Sequence, residues 1–259
     1  MKLLGRIFLF SGVCFAAIVF RPSDAGAENS GLRAKFEKAN GDYRDGRYEK
    51  AQTAYEELAK EAPSLSQIFY NLGNCYFRQG KMGRAILAYE RALERDPRNS
   101  DIRSNLGYVR SLSEYKVEDK RSWYLRAEER LVHMFTEREV LLALLASLFL
   151  FLSAWVWNVY FRRGVPWGWI RKWLFGMTLV LLALYAAKYV QTHIIRDAIV
   201  LTNQAEVRYG PSGNDQIAFH LGEGMKVYVL DRRSDWSRIL LWSGDSGWIQ
   251  NSDLAEVRT

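Results

Sequence analysis

Histidines, cysteines and paired carboxylates are the side chains with which a protein most readily does acid–base, nucleophilic or metal chemistry. The 259-residue chain spreads them thinly. His133, His193 and His220 stand in three different segments, and none joins a recognisable metal-ligand motif. No phosphate-cradling glycine loop and no G-x-S-x-G turn is present, and no serine or cysteine has an evident paired base. Cys14 lies in an apolar N-terminal run, so a processed chain keeps Cys75 alone and forms no internal disulfide. Ser11-Gly12-Val13 before Cys14 lacks the small residue that directly precedes a lipidated cysteine. These patterns predict no catalytic residue, no metal and no cofactor, and point to a binding protein rather than an enzyme.

Charge narrows the partner. A formal charge of +7 would suit nucleic acid. Residues 28–137, however, hold 20 basic and 18 acidic groups, and residues 196–259 hold 7 and 9. The excess lies in segments that read as membrane-associated, so the electrostatic footprint of a nucleic-acid binder is missing and none is expected as partner.

The elements that would position a binding surface begin with targeting. Residues 1–27 read as a signal peptide: Lys2 and Arg6, an apolar stretch from Ile7 to Phe20, then Ala25-Gly26-Ala27 as a cleavage pattern. An uncleaved anchor is the alternative, since Arg21 directly follows the run. Val140 to Phe161 carries no charge, and transmembrane helices are expected over 138–161 and 173–192, joined by a basic loop over 162–172. Arg162, Arg163, Arg171 and Lys172 make that loop cytoplasmic, which leaves both flanking parts outside. Trp155, Trp157, Tyr160, Trp167, Trp169 and Trp173 fit an aromatic belt or, alternatively, a binding cluster. Lys188 fits a snorkelling lysine or one paired with a partner's acid. Residues 122–137 form a juxtamembrane amphipathic helix that lies in the interface or caps the array before it.

Residues 28–121 are expected to form one repeat domain, with a 34-residue self-similarity between Gly31 and Leu112. Phe69-x2-Leu72-Gly73-x2-Tyr76, then Ala85-x3-Tyr89, Ala92 and Pro97, resembles the tetratricopeptide signature. Ala51, Tyr55, Leu58 and Pro63 repeat its second half upstream, Gly46 and Gly80 mark turns, and Leu106-Gly107 opens a third unit. The resemblance implies an all-α helical repeat that captures peptides on its concave face. Carried over position by position, its groove residues are Asn40, Tyr43, Arg44, Asn71, Asn74, Phe77 and Arg78. Asn40 and Asn71 match two positions of a clamp for a terminal carboxylate, whereas Phe36, Asp101 and Asn105 replace its basic residues. Arg44 and Arg78 form either a short basic ladder or solvated surface. Cys75 is expected to be a small buried thiol.

After Ile195 the pattern alternates, as in a small all-β domain. Residues 198–259 resemble a bacterial SH3-like barrel through Ala205-Glu206-Val207-Arg208-Tyr209-Gly210-Pro211-Ser212, Phe219-x-Leu221, Trp236-x2-Ile239-x-Leu241 and Gly247-Trp248-Ile249. Tyr209, Trp236 and Trp248 suit a shallow groove, with membership of the small core as the alternative for the tryptophans. Alternation turns Leu240 and Trp242 away from Ile239 and Leu241, so they are expected to be exposed.

The full order resembles the BatE-like aerotolerance-operon membrane proteins of Gram-negative bacteria. That resemblance implies a periplasm-facing scaffold of the inner membrane, with von Willebrand A-domain membrane proteins and a MoxR-type ATPase as partners. The competing expectation is a β-domain that binds peptidoglycan.

Overall fold

The computed structural model describes residues 26–112, 135–161, 167–194 and 196–258. The signal segment 1–25, residues 122–134 of the amphipathic stretch, His133, Arg162 and Arg163 lie outside them.

Five helices come first: α1 (Gly26–Arg44), α2 (Tyr48–Glu61), α3 (Ser66–Arg78), α4 (Met82–Arg95) and α5 (Ser100–Leu112). Gly46 and Gly80 make the turns inside the first two hairpins with φ of 77° and 74°, a left-handed backbone that a side chain disfavours. The bonds around them repeat too. Arg47 N donates to Asp42 O at 2.9 Å and Lys81 N to Tyr76 O at 3.0 Å. Pro63 and Pro97 follow the ends of α2 and α4, where a helix cannot continue. Between α3 and α4, a Cβ on Gly73 would stand 2.7 Å from the Tyr89 ring, so only glycine admits this approach. Ala51, Tyr55, Leu58, Ile68, Leu72, Ala85, Tyr89, Ile102 and Leu106 make one continuous apolar core along the array.

Two long helices follow, α6 (Glu137–Phe161) and α7 (Trp167–Tyr189), the latter extended by a π turn over Val190–Ile194. At ~1.5 Å per residue each spans the roughly 30 Å of a bilayer's hydrocarbon core, and both are apolar enough to cross a membrane. They run antiparallel, since Glu137 meets His193 at 3.2 Å, Ser147 meets Thr178 at 2.8 Å and Phe151 meets Phe175 at 5.7 Å between ring centres. Helix α7 starts six residues before the expected second span, so Arg171 and Lys172 stand on its first turns rather than in a loop. Trp167 and Gly168 carry the helix back because neither they nor the charges break it.

The C-terminal part is a seven-stranded antiparallel sheet. Its strands are β1 (Arg196–Val200), β2 (Ala205–Arg208), β3 (Ile217–Leu221), β4 (Lys226–Arg233), β5 (Trp236–Leu240), β6 (Ser246–Gln250) and β7 (Leu254–Glu256), in the order β3-β2-β6-β5-β4-β1-β7. Ala198, Val200, Val207, Leu221, Val227, Ile239, Ile249 and Leu254 form one cluster fed by every strand, so the sheet curls around its own core.

Candidate functional site: the concave face of the helical array

The β-domain covers one side of the array and thereby decides which face is free. Its outward side chains Ile199 and Val257 are buried in the apolar cluster of the helices, against α4. Around this seam the charges are paired. Lys226 lies 2.8 Å from Asp197 and 3.8 Å from Glu90, and Arg110 of α5 also pairs with Glu90. Burial pulls the Lys226 ammonium down, but Glu90 and Asp197 outweigh it and hold its pKa above the ordinary lysine value. Arg91 donates to the carbonyl oxygens of Val257 and Glu256, at 3.1 and 2.7 Å, and Arg258 pairs with Glu94 at 2.5 Å. Burial pushes the Glu94 carboxyl up and Arg258 opposes it.

The inner face, formed by α1, α3 and α5, is not covered by the β-domain, and its polar side chains are half-buried or exposed among the described residues. Its floor is a polar ladder that repeats every 34 residues. The Tyr55 hydroxyl donates to Asn40 Oδ1 at 2.5 Å, and Asn71 Nδ2 donates to the same oxygen at 3.1 Å. One unit later the Tyr89 hydroxyl donates to Asn74 Oδ1 at 2.6 Å, and Asn105 Nδ2 donates to it at 3.1 Å. Burial pushes the Tyr55 and Tyr89 hydroxyls well above the ordinary tyrosine range, so both remain donors. Asn40, Asn71 and Asn74 all lie half-buried on this face; Asn40 and Asn74 accept from a tyrosine of their own unit, and Asn71 bonds across to the unit before it.

Tyr43 and Phe77 are half-buried on the same face, Tyr43 edge-on to Tyr48 at 5.3 Å and Phe77 edge-on to Tyr108 at 5.9 Å. Arg44 and Arg78 are exposed but not equivalent. Arg78 is held by the Tyr43 hydroxyl, which raises its pKa above the ordinary value, while Arg44 makes no ion pair among the described residues.

At the other end of this face lies a cavity of about 530 Å³. Leu32 and Phe36 of α1, Ile68 and Tyr70 of α3, and Ile102 of α5 supply its apolar lining. Arg33, Gln67, Asp96, Asn99 and Asp101 supply its polar rim. Sequence reasoning passed over Arg33, Gln67 and Tyr70. Helical spacing from Asn40 and Asn74 toward the amino ends of their helices would have found them.

Residues 36–109 match the tetratricopeptide repeat family. The five helices are tetratricopeptide-like. Tetratricopeptide units are protein-interaction repeats without catalytic function of their own. No curated protein matches the chain.

The β-domain residues singled out from sequence differ in exposure. Tyr209 is 72% exposed, whereas Trp248 is buried with the Arg233 guanidinium 5.3 Å from its ring centre. Trp236 is half-buried. Leu240 and Trp242, expected to be exposed, are also half-buried. Alternation does turn them outward, but Tyr228, paired in register with Leu240, packs edge-on against Trp242 at 4.6 Å. Among the described residues no three His, Cys, Asp or Glu side chains converge as metal ligands do.

Proposed function

We propose that this chain is a non-enzymatic scaffold, tethered in the inner membrane by α6 and α7, whose tetratricopeptide groove captures a peptide segment of a partner while its SH3-like domain braces the array. In this reading both modules face the periplasm and assemble a stress-related complex of the aerotolerance type, with von Willebrand A-domain membrane proteins and a MoxR-type ATPase as partners. The observation that carries it is the asymmetry of the array. One face is sealed by the β-domain through Ile199 and Val257, and the concave face is left open. Antiparallel α6 and α7 support a common side for the two modules, because Glu137 and His193 meet at one end. Peptidoglycan binding by the β-domain draws less support, since Trp248 is covered by Arg233.

Crosslinking in intact cells, followed by identification of what is captured, tests the scaffold. The expected catch is one or more membrane proteins. An empty catch sinks the reading. A reporter fused after Thr259 tests topology: activity outside the cytoplasm is expected, and cytoplasmic activity overturns the two-span arrangement.

A further inference from the structure

We propose that the cavity at the amino ends of α3 and α5 is a subsite for a peptide segment of a membrane-anchored partner, taking one large apolar side chain beside one lysine or arginine. The inference rests on the reading of the concave face as a peptide groove. It adds which end is used and what chemistry enters it.

A cavity of about 530 Å³ admits a bulky side chain together with its neighbouring backbone. Leu32, Phe36, Tyr70 and Ile102 around it give an apolar anchor a place to leave water. The charges are unequal on the two walls. Toward α5, Asp101 is exposed and makes no ion pair among the described residues, and the Asp96 carboxylate accepts from the neutral Asn99 amide at 3.0 Å. Toward α1 stands a single cation, Arg33, also outside any ion pair among the described residues. Two carboxylates on one wall attract a basic side chain next to the anchor, and the lone guanidinium opposite discourages a second. A terminal carboxylate, the ligand of the family's clamp, would face two like charges here.

The position of the cavity names the kind of partner. Arg98, between Asp96 and Asn99, pairs with Glu139 in the first turn of α6 at 3.2 Å and lies 5.4 Å from the Phe135 ring centre. The rim of the cavity is therefore beside the end of the membrane helices. A segment bound there lies near the bilayer surface, within reach of a protein anchored in the same membrane.

The test uses the full chain in detergent and fluorescein-labelled decapeptides with a central Phe-Lys, Phe-Glu or Ser-Lys pair, each with an amidated and a free carboxyl terminus. Binding of Phe-Lys is expected to be about tenfold tighter than that of Phe-Glu or Ser-Lys and indifferent to the terminus. Asp101→Lys, at an exposed position, should reverse the Phe-Lys over Phe-Glu preference. Gln67→Trp, which fills the cavity from its exposed rim, should abolish binding without lowering the unfolding midpoint. Equal binding of Phe-Lys and Phe-Glu, tighter binding of every free-carboxylate peptide, binding untouched by both variants, or no binding at all each overturns the subsite. Crosslinking separates this failure from the wider one. A partner captured by the wild type and equally by Gln67→Trp leaves the scaffold standing and removes the subsite, while no capture by the wild type removes the scaffold itself.

Discussion

The backbone N–H of Gly83, at the start of α4, donates to Glu223 Oε1 at 2.6 Å, joining residues 140 apart in sequence. A Cβ on Gly83 would lie 2.8 Å from the Val200 carbonyl oxygen, and one on Gly224 would lie 2.4 Å from Ile86 Cδ1. At this seam Gly83 and Gly224 leave room for the Val200 carbonyl, the Glu223 side chain and the Ile86 side chain to come close, so neither glycine can gain a Cβ without a shift.

Gly83→Ala pits two effects of opposite sign against each other. Alanine stabilises a helix interior by about 1 kcal/mol over glycine, and an isolated array would gain part of that at a first-turn position. In the full chain the new methyl meets a carbonyl oxygen, that of Val200, which also accepts from Gly224 N at 2.8 Å and cannot swing away as a side chain would. Overpacking of this kind costs about 1–3 kcal/mol. Urea unfolding of the full chain should therefore show a net loss of stability. A gain would mean that the two modules are not docked through this seam.

Lys226 sits between Asp197 and Glu90, and truncating it strands Asp197 at a buried seam while Glu90 keeps Arg110. Asp197 Oδ1 already lacks a partner, so it has nothing to turn to. Lys226→Met is expected to cost about 3–5 kcal/mol, against no more than ~1 kcal/mol for Lys35→Met at the exposed pair with Glu61. The pH dependence has a definite sign. The folded pKa of Lys226 is raised above 10.5, so its contribution is complete below that value and is lost as pH rises through the folded one. Unfolding midpoints of wild type and variant should stay apart by a constant amount from neutral pH to about pH 10 and converge only above it.

Much of this architecture is legible in the residues, and what is not has a common cause. Gly46 and Gly80, or Pro63 and Pro97, stand 34 positions apart and announce the repeat, because local backbone chemistry needs them there. Alternation from Trp236 to Leu241 likewise announces a strand whose odd residues are inside. The docking of the modules leaves no such trace. Ile199 alternates out of the sheet's own core and is buried only because α4 covers it, and Glu90 and Lys226 read as solvated charges until a second module encloses them. The concave site was half visible for the same reason. Family positions locate Asn40 and Asn74, but whether a rim holds unpaired carboxylates depends on what three separate helices bring together.

Tyr55 and Tyr89 offer a test of the repeat as an energetic unit. Each hydroxyl donates to the asparagine carbonyl of its own unit, and each carbonyl keeps a second donor, Asn71 or Asn105, when the hydroxyl is removed. Tyr55→Phe and Tyr89→Phe should therefore cost similar amounts, on the order of 1 kcal/mol each. The double variant should cost their sum, because the two clusters share no side chain. Urea unfolding of the four chains checks this. Costs that differ several-fold would show that the matching geometry does not carry matching energy.

Cys75 is fully buried on α3 among the array's core residues, and that burial pushes its thiol pKa from the ordinary 9.0 up to about 12. At pH 8 only ~1 in 10⁴ folded chains then carries a thiolate, the form that attacks disulfide reagents. In a chain with Cys14→Ser, native protein should leave an aromatic disulfide reagent unreacted while urea-unfolded protein reacts fully with one equivalent. Because the folded value lies above the unfolded one, the thiol's contribution to stability is whole below pH 9 and declines toward pH 12, at up to ~1.4 kcal/mol per pH unit. Cys75→Ala removes this decline, so the wild type should lose stability faster than the variant across that interval. Prompt reaction of the native thiol at pH 8 would place Cys75 at an opening of the array and make it a surface group rather than part of the packing between α3 and its neighbours.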